Sequence, residues 1–194
     1  MELLYHYYKK GSVTFDSLTE NDDETAIQLM KSLYIKDSLL WERFAEPKQY
    51  LDARRYTEKW LHDEFAKKGG QPKTINPIYF VFGNSIWYEK NETSRIQMET
   101  GIIKIPLEIF SDKEISFTYP DSMLTLLLAY QKIPQYYLPE YHGKVFCLRE
   151  IKKIINENGL PGYEWNPILP EKMPNYIEAQ VWNKNKLLEY VKSI

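Results

Sequence analysis

One cysteine, three histidines and eight glycines in 194 residues leave little material for several common chemistries. The single Cys147 cannot pair within the chain, which excludes a disulfide framework. It sits in the apolar run Val145-Phe146-Cys147-Leu148, where a buried, inert thiol is expected, and a reducing cytoplasmic setting follows. His6, His62 and His142 are far apart, and no His or Cys cluster has the spacing of a metal site, so no metal is expected. There is no Gly-x-Ser-x-Gly nucleophile turn and no glycine-rich loop to wrap a pyrophosphate. The longest apolar run, Met123 to Tyr130, is too short to span a bilayer, and Thr125 breaks it. The Met1-Glu2-Leu3-Leu4-Tyr5-His6 start lacks the basic and apolar regions of a signal peptide, so a soluble protein without membrane partners is expected. An excess of either charge is missing too: 25 Lys and Arg face 27 Asp and Glu, giving no pull toward nucleic acid. Arg43, Lys48, Arg54, Arg55 and Lys59 do cluster, interleaved with Tyr50 and Tyr56. Glu46, Asp52 and Glu58 offset them, which reads as a solvated helix face with one arginine near the apolar stripe in an internal ion pair.

What the chain has in quantity is aromatic surface, with 16 Tyr, 8 Phe and 5 Trp. Such rings suit cores and contact surfaces alike. Abundant Lys, Ile, Asn, Glu and Tyr with little Ala and Gly matches the usage of an AT-rich bacterial genome. The length fits one domain, 1–194, able to build its own core.

The pattern predicts a helix-rich part over 20–70 and a sheet-containing part over 76–194. Leu3 to Tyr8 reads as a strand. Asp22 or Asp23 caps a helix to about Tyr34, Leu39 to Phe44 is a second helical stretch, and Pro47 opens a long third helix stopped by Gly69-Gly70. On that helix Leu51, Trp60, Leu61 and Phe65 form the buried stripe, and Glu58 with His62 an exposed pair. Ile78 to Phe82 is a central strand, Ser85 to Glu89 a continuation and Asn91 to Gln97 a polar loop. Gly101 to Leu107 and Glu114 to Tyr119 are further strands, with Pro106 pushing the first to an edge. Helices over Met123–Lys132 and Leu148–Asn158, a loop with Trp165, the strand Tyr176 to Trp182 and a short closing helix complete the chain. The class is α+β: a helical N-terminal third, then a mixed or antiparallel sheet with packed helices. Ile78, Phe80, Phe82, Ile103, Ile105, Leu124, Leu127, Leu128, Ile151, Ile155, Ile177, Ala179 and Val181 are the expected common core.

Tyr176 to Trp182 divides into two faces with the period of a strand: Ile177, Ala179 and Val181 toward a core, Tyr176, Glu178, Gln180 and Trp182 away from it. A carboxylate beside a carboxamide between aromatics is the makeup of a site floor and equally of a solvated face. Glu178 is the candidate to anchor a ribose hydroxyl or stabilise a cationic centre, with Gln180 orienting it. The second candidate is Phe117-Thr118-Tyr119-Pro120-Asp121-Ser122, a strand running into a helix N-terminus. There Asp121 and Ser122 beside free backbone amides suit a phosphate or carboxylate, or simply cap the helix.

Leu3-Leu4-Tyr5-His6-Tyr7 and Tyr176-Ile177-Glu178-Ala179-Gln180 together resemble the opening strand and the late acidic strand of ADP-ribosyltransferase-like toxin domains. The resemblance implies NAD as cofactor, the residues themselves naming none. It also implies His6 at the adenosine-side ribose, Tyr79 or Tyr119 stacked on nicotinamide, and Glu178 holding the reacting ribose. Where that family carries Glu as the second polar member, this chain has Gln180.

Two functions of different class follow: an enzyme or binder of a nucleotide-like ligand using these residues in one cleft, or a non-catalytic module whose aromatics contact a protein partner. Their shared or separate location discriminates between the two.

Overall fold

The computed structural model describes residues 2–11, 15–38, 41–83, 85, 87, 100–161, 170 and 173–192. Strand β1 covers Leu3–Lys9, β2 Ile78–Phe82, β3 Thr100–Pro106, β4 Ile115–Thr118, β5 Phe146–Cys147 and β6 Glu178–Val181. The helices are α1 Asp23–Leu33, α2 Pro47–Lys67, α3 Ser122–Gln131, α4 Leu148–Asn158 and α5 Lys184–Lys192. The strands form one sheet in the order β3-β1-β2-β6-β4-β5, every neighbouring pair antiparallel, so the class is α+β. Pro106 does end a strand at the sheet edge, where its missing N–H breaks no ladder.

Local chemistry explains the boundaries. Asp22 caps α1 by accepting the Thr25 N–H at 2.9 Å, and Asp121 caps α3 through the Met123 and Leu124 N–H groups, both at 3.0 Å. Pro47 opens α2, where no amide is needed. Lys68 closes it, and Gly70 N–H returns to the Phe65 carbonyl at 3.0 Å. A Cβ on Gly70 would fall 2.6 Å from the Phe65 ring, so the turn needs glycine for space. Of the stretch read as helical over Leu39 to Phe44, Glu42–Phe44 is a single 3-10 turn, and residues 39 and 40 lie outside the described residues. The expected polar loop at Asn91–Gln97, most of the continuation at 85–89 and the loop with Trp165 lie outside them as well.

Alternation sorts each strand onto two faces, and both are buried. On one face Leu4, Ile78, Phe80, Ile105, Phe117, Ile177, Ala179 and Val181 pack with Ile151 of α4 and Leu187 of α5. On the other, α1 and α2 bring Ala26, Met30, Leu51, Leu61 and Phe65 against Val81, Tyr176 and Trp182. Trp182 is fully buried, its ring 6.0 Å from that of Phe65 and nearly parallel to it. Most of the expected core is therefore found on the first face, with Ile103 and Ile155 packed at its margin. Leu124 and Leu127 are corrections. They line a cavity beside α2, and Leu127 is 47% exposed. Cys147 is half-buried at the start of α4 rather than enclosed, with its N–H held by Glu150 Oε2 at 2.9 Å. Among the described residues no helix is long and apolar enough to cross a membrane.

Candidate functional site

The register of β6 sets the floor of the site. Val81, Glu178 and Thr118 lie in one row across β2, β6 and β4, and Tyr79, Gln180 and Ser116 in the next. All six point toward α2, because their neighbours in sequence fill the opposite core. This row of β6 is neither solvated nor open: Glu178 is 6% exposed and Gln180 wholly buried.

Burial obliges these groups to find partners, and they do. Gln180 Nε2 donates to Thr118 Oγ1 and Glu178 Oε1, each at 3.1 Å, and its Oε1 accepts from Ser116 Oγ at 2.9 Å. Trp182 Nε1 donates to Ser116 Oγ at 2.9 Å and closes the chain. Glu178 Oε1 also accepts the Ser122 N–H at 3.2 Å, which ties β6 to the first turn of α3.

From above, α2 contributes two charges: Arg54, the arginine near the apolar stripe that forms the expected internal ion pair, and Glu58, which was expected to be exposed. Its buried stripe runs Leu51, Arg54, Thr57, Glu58, Leu61, Phe65. The Arg54 guanidinium lies 3.6 Å above the Tyr79 ring, donates to Ser122 Oγ at 3.1 Å and sits 3.6 Å from Glu58 Oε1. Glu58, expected as an exposed partner of His62, is instead buried and accepts from Tyr79 Oη at 3.1 Å and Asn76 Nδ2 at 2.6 Å. His62 turns its ring to the edge of Trp182. Burial pushes the Arg54 charge down, yet Tyr79, Tyr50, Glu178 and Glu58 together outweigh it and hold the group well above its ordinary range. Burial and the nearby carboxylates push the Tyr79 phenol well up, against the opposing pull of Arg54. Asp121 is raised to about 6, by burial first and by the Glu178 charge second.

Two cavities meet at this cluster. The smaller, about 160 Å³, runs beneath α2 past Thr19, Glu58 and Tyr79. The larger, about 1100 Å³, opens between α2 and α3 past Ala53, Trp87, Asp121, Leu124 and Leu127. Arg43, Tyr50, Arg54, Tyr176 and Glu178 line both. The larger volume, about 1100 Å³, lies just above the roughly 300–1,000 Å³ of small-ligand sites.

Of the residues singled out in the sequence, Glu178, Gln180, Tyr79, Asp121 and Ser122 come together here. Ser122 acts through its backbone and as the acceptor for Arg54. Tyr119 does not join them, and His6 does so only as a lining residue of the smaller cavity, with Tyr79 and Glu178. The His6 ring packs on Phe15 and Phe80 on the opposite face, with Nδ1 2.9 Å from the Tyr79 carbonyl, and burial lowers its pKa. Tyr119 is fully buried in that same core beside Tyr141 and donates to Asn175 Oδ1 at 2.7 Å. Arg54, expected only as one of two arginines that could form an internal ion pair, and Glu58, expected to be exposed, are the further residues of the site. Their signal is the spacing 51-54-58-61-65, which places two charges on an apolar helical stripe. Among the described residues no three His, Cys, Asp or Glu side chains gather where a metal ion would be held. Comparison with known protein families, with characterised proteins and with solved structures finds no match for this chain.

Proposed function

We propose that the cleft between α2 and α3 binds a small nucleotide-like ligand, with Glu178 accepting hydroxyl groups of its ribose. The observation that carries this reading is the Glu178 carboxylate. One oxygen is fixed by the Ser122 N–H and the Gln180 amide, and the residue lines both cavities. A carboxylate held this way needs no reorganisation to receive two hydroxyls or to face developing positive charge at the sugar. Tyr50, Trp87 and Tyr176 supply ring faces for a base. Arg43, exposed on the wall of both cavities, is the cation for a phosphate. The similarity of the terminal strands to ADP-ribosyltransferase-like domains makes NAD the first ligand to test and group transfer from its ribose the first reaction. A cytoplasmic setting suits such a ligand.

Thermal stabilisation by NAD, ADP-ribose, AMP, adenosine and inorganic phosphate tests the reading. A ligand at about a hundred times its Kd adds about 2.7 kcal/mol to native stability. Stabilisation by the ribose-bearing compounds, lost in Glu178→Gln, supports it; no response to any of them overturns it. A second reading, a protein-contact module, draws on the exposed Tyr56, Leu127 and Tyr130 along the larger cavity. Their replacement by serine would then abolish partner binding and leave nucleotide binding intact.

A further inference from the structure

Helix α3 is packed with its polarity reversed. It buries Ser122, Thr125 and Leu128, while Met123, Leu124, Leu127 and Tyr130 line the larger cavity. A surface helix ordinarily turns its apolar stripe to the core. The inner hydroxyls are satisfied: Ser122 Oγ accepts from Arg54, and Thr125 Oγ1 donates to the Tyr119 carbonyl at 2.9 Å and accepts the Gly143 N–H at 3.0 Å. Among the described residues, Met123, Leu124 and Leu127 pack into neither core. Met123 and Leu124 are half-buried within the cleft, and Leu127 and Tyr130 are 47% and 88% exposed at its mouth.

This apolar row starts beside Glu178, because the Ser122 N–H at the head of α3 binds that carboxylate. From Met123 to Tyr130 it runs about 10 Å at the rise of a helix. Across the cleft α2 presents Ala53, Thr57 and the exposed Tyr56, so both walls offer hydrocarbon. Arg43 and Arg54 line the smaller cavity as well, which places them at the inner end where the two cavities meet. Of the charged residues that line the larger cavity alone, Asp52 is paired with Lys48 at 2.5 Å and Asp121 caps α3. At about 1100 Å³ the cavity leaves room beside a base, ribose and phosphate. A contiguous apolar surface of this kind marks a binding face. The flat surface of a protein would reach Leu127 and Tyr130 but not the recessed Met123 and Leu124, whereas a slender chain reaches all four.

We infer that the ligand is a nucleotide carrying a hydrocarbon group, an alkyl or acyl chain, which lies along Met123, Leu124, Leu127 and Tyr130. The inference rests on the nucleotide reading of the cleft and adds a part to that ligand. The chain takes apolar surface of both walls out of water, while the phosphate stays with Arg43 at the inner end.

Calorimetry on the full chain compares AMP with two conjugates, its hexyl phosphoester and AMP hexylated on the adenine amine, which attach the chain at opposite ends of the nucleotide. At least one conjugate is expected to bind about tenfold or more tightly than AMP, with a more negative heat-capacity change. Leu124→Ser with Leu127→Ser, both off the buried face of α3, should erase that gain and leave AMP binding unchanged. If neither conjugate binds more tightly than AMP, the inference fails and the nucleotide reading stands. It fails as well if the double variant keeps the gain, since the chain then lies elsewhere. Silence from AMP and both conjugates removes the nucleotide reading together with this one.

Discussion

Arg54 lies flat on Tyr79, its Cζ 3.6 Å from the ring centroid, while the Tyr79 hydroxyl donates at 3.1 Å to the Glu58 carboxylate that neutralises the arginine. The three side chains form a closed unit between α2 and β2. Each member covers a need of another: charge for charge, ring face for guanidinium, acceptor for phenol.

Removing one member should therefore cost more than an ordinary ion pair. Glu58→Ala leaves Arg54 buried without its counterion and Tyr79 and Asn76 without their acceptor. A loss of about 3–5 kcal/mol is expected in urea unfolding. Arg54→Met with Glu58→Met, which removes both charges and keeps volume, should cost clearly less. A loss below about 1 kcal/mol for Glu58→Ala would mean that the pair behaves as a solvent-exposed one.

Gln180→Ala should behave as a core mutation. It strips an acceptor from Ser116 and a donor from Thr118 and Glu178 at a position with no exposed area. The cost of unsatisfied buried groups puts the expected loss at about 2 kcal/mol or more. A change within about 0.5 kcal/mol, typical of surface positions, would contradict this network.

The elements themselves were largely legible. Asp22 and Asp121 as caps, Pro47 at a helix start and the alternation of Ile177, Ala179 and Val181 act locally, and local signals survive in sequence. Depth was not legible. Alternation shows that Glu178 and Gln180 share a face, but whether α2 covers that face depends on tertiary packing between segments more than a hundred residues apart. Glu58 was misjudged for the same reason: charge is a good sign of exposure until two charges pair, as Glu58 does with Arg54. His6 and Tyr119 lie on the opposite face from Glu178. Strand parity puts His6 with Leu4 and Tyr119 with Phe117, but parity relates residues of different strands only once the register is known.

Stability should depend on pH through opposing groups. The fold raises Asp121 to about 6, while an unfolded Asp titrates near 4, so the native state binds the extra proton between those values. This group raises stability as pH falls from about 6 to 4, and its contribution is lost as pH rises through 6. His142 acts in the other sense: burial lowers it to about 4, so its contribution is full above about 6.5 and lost as pH falls toward 4. Glu114, held down to about 2 against its own burial by Lys186, Ser111 and Asn183, contributes above about 4.5 and is lost as pH falls through 2. Asp121→Asn removes the one of these three groups that favours acid. Its urea midpoint should then fall more steeply than wild type from about pH 6.5 to 4. Parallel curves for the two proteins would show that Asp121 titrates normally.

Glu178→Gln tests the electrostatics of the site without changing its shape. The glutamine oxygen can still accept the Ser122 N–H, so α3 keeps its tie to β6. The negative charge beside Asp121 disappears, and with it the second largest cause of the raised Asp121 pKa. Burial, the largest cause, stays. The Asp121 carboxyl resonance should therefore titrate at lower pH in the variant than in wild type, while remaining above the ordinary value near 4. Because a repulsion is relieved as one charge-assisted hydrogen bond is weakened, stability should change by no more than about 1 kcal/mol. An unchanged Asp121 titration would mean that the two carboxylates do not share a field.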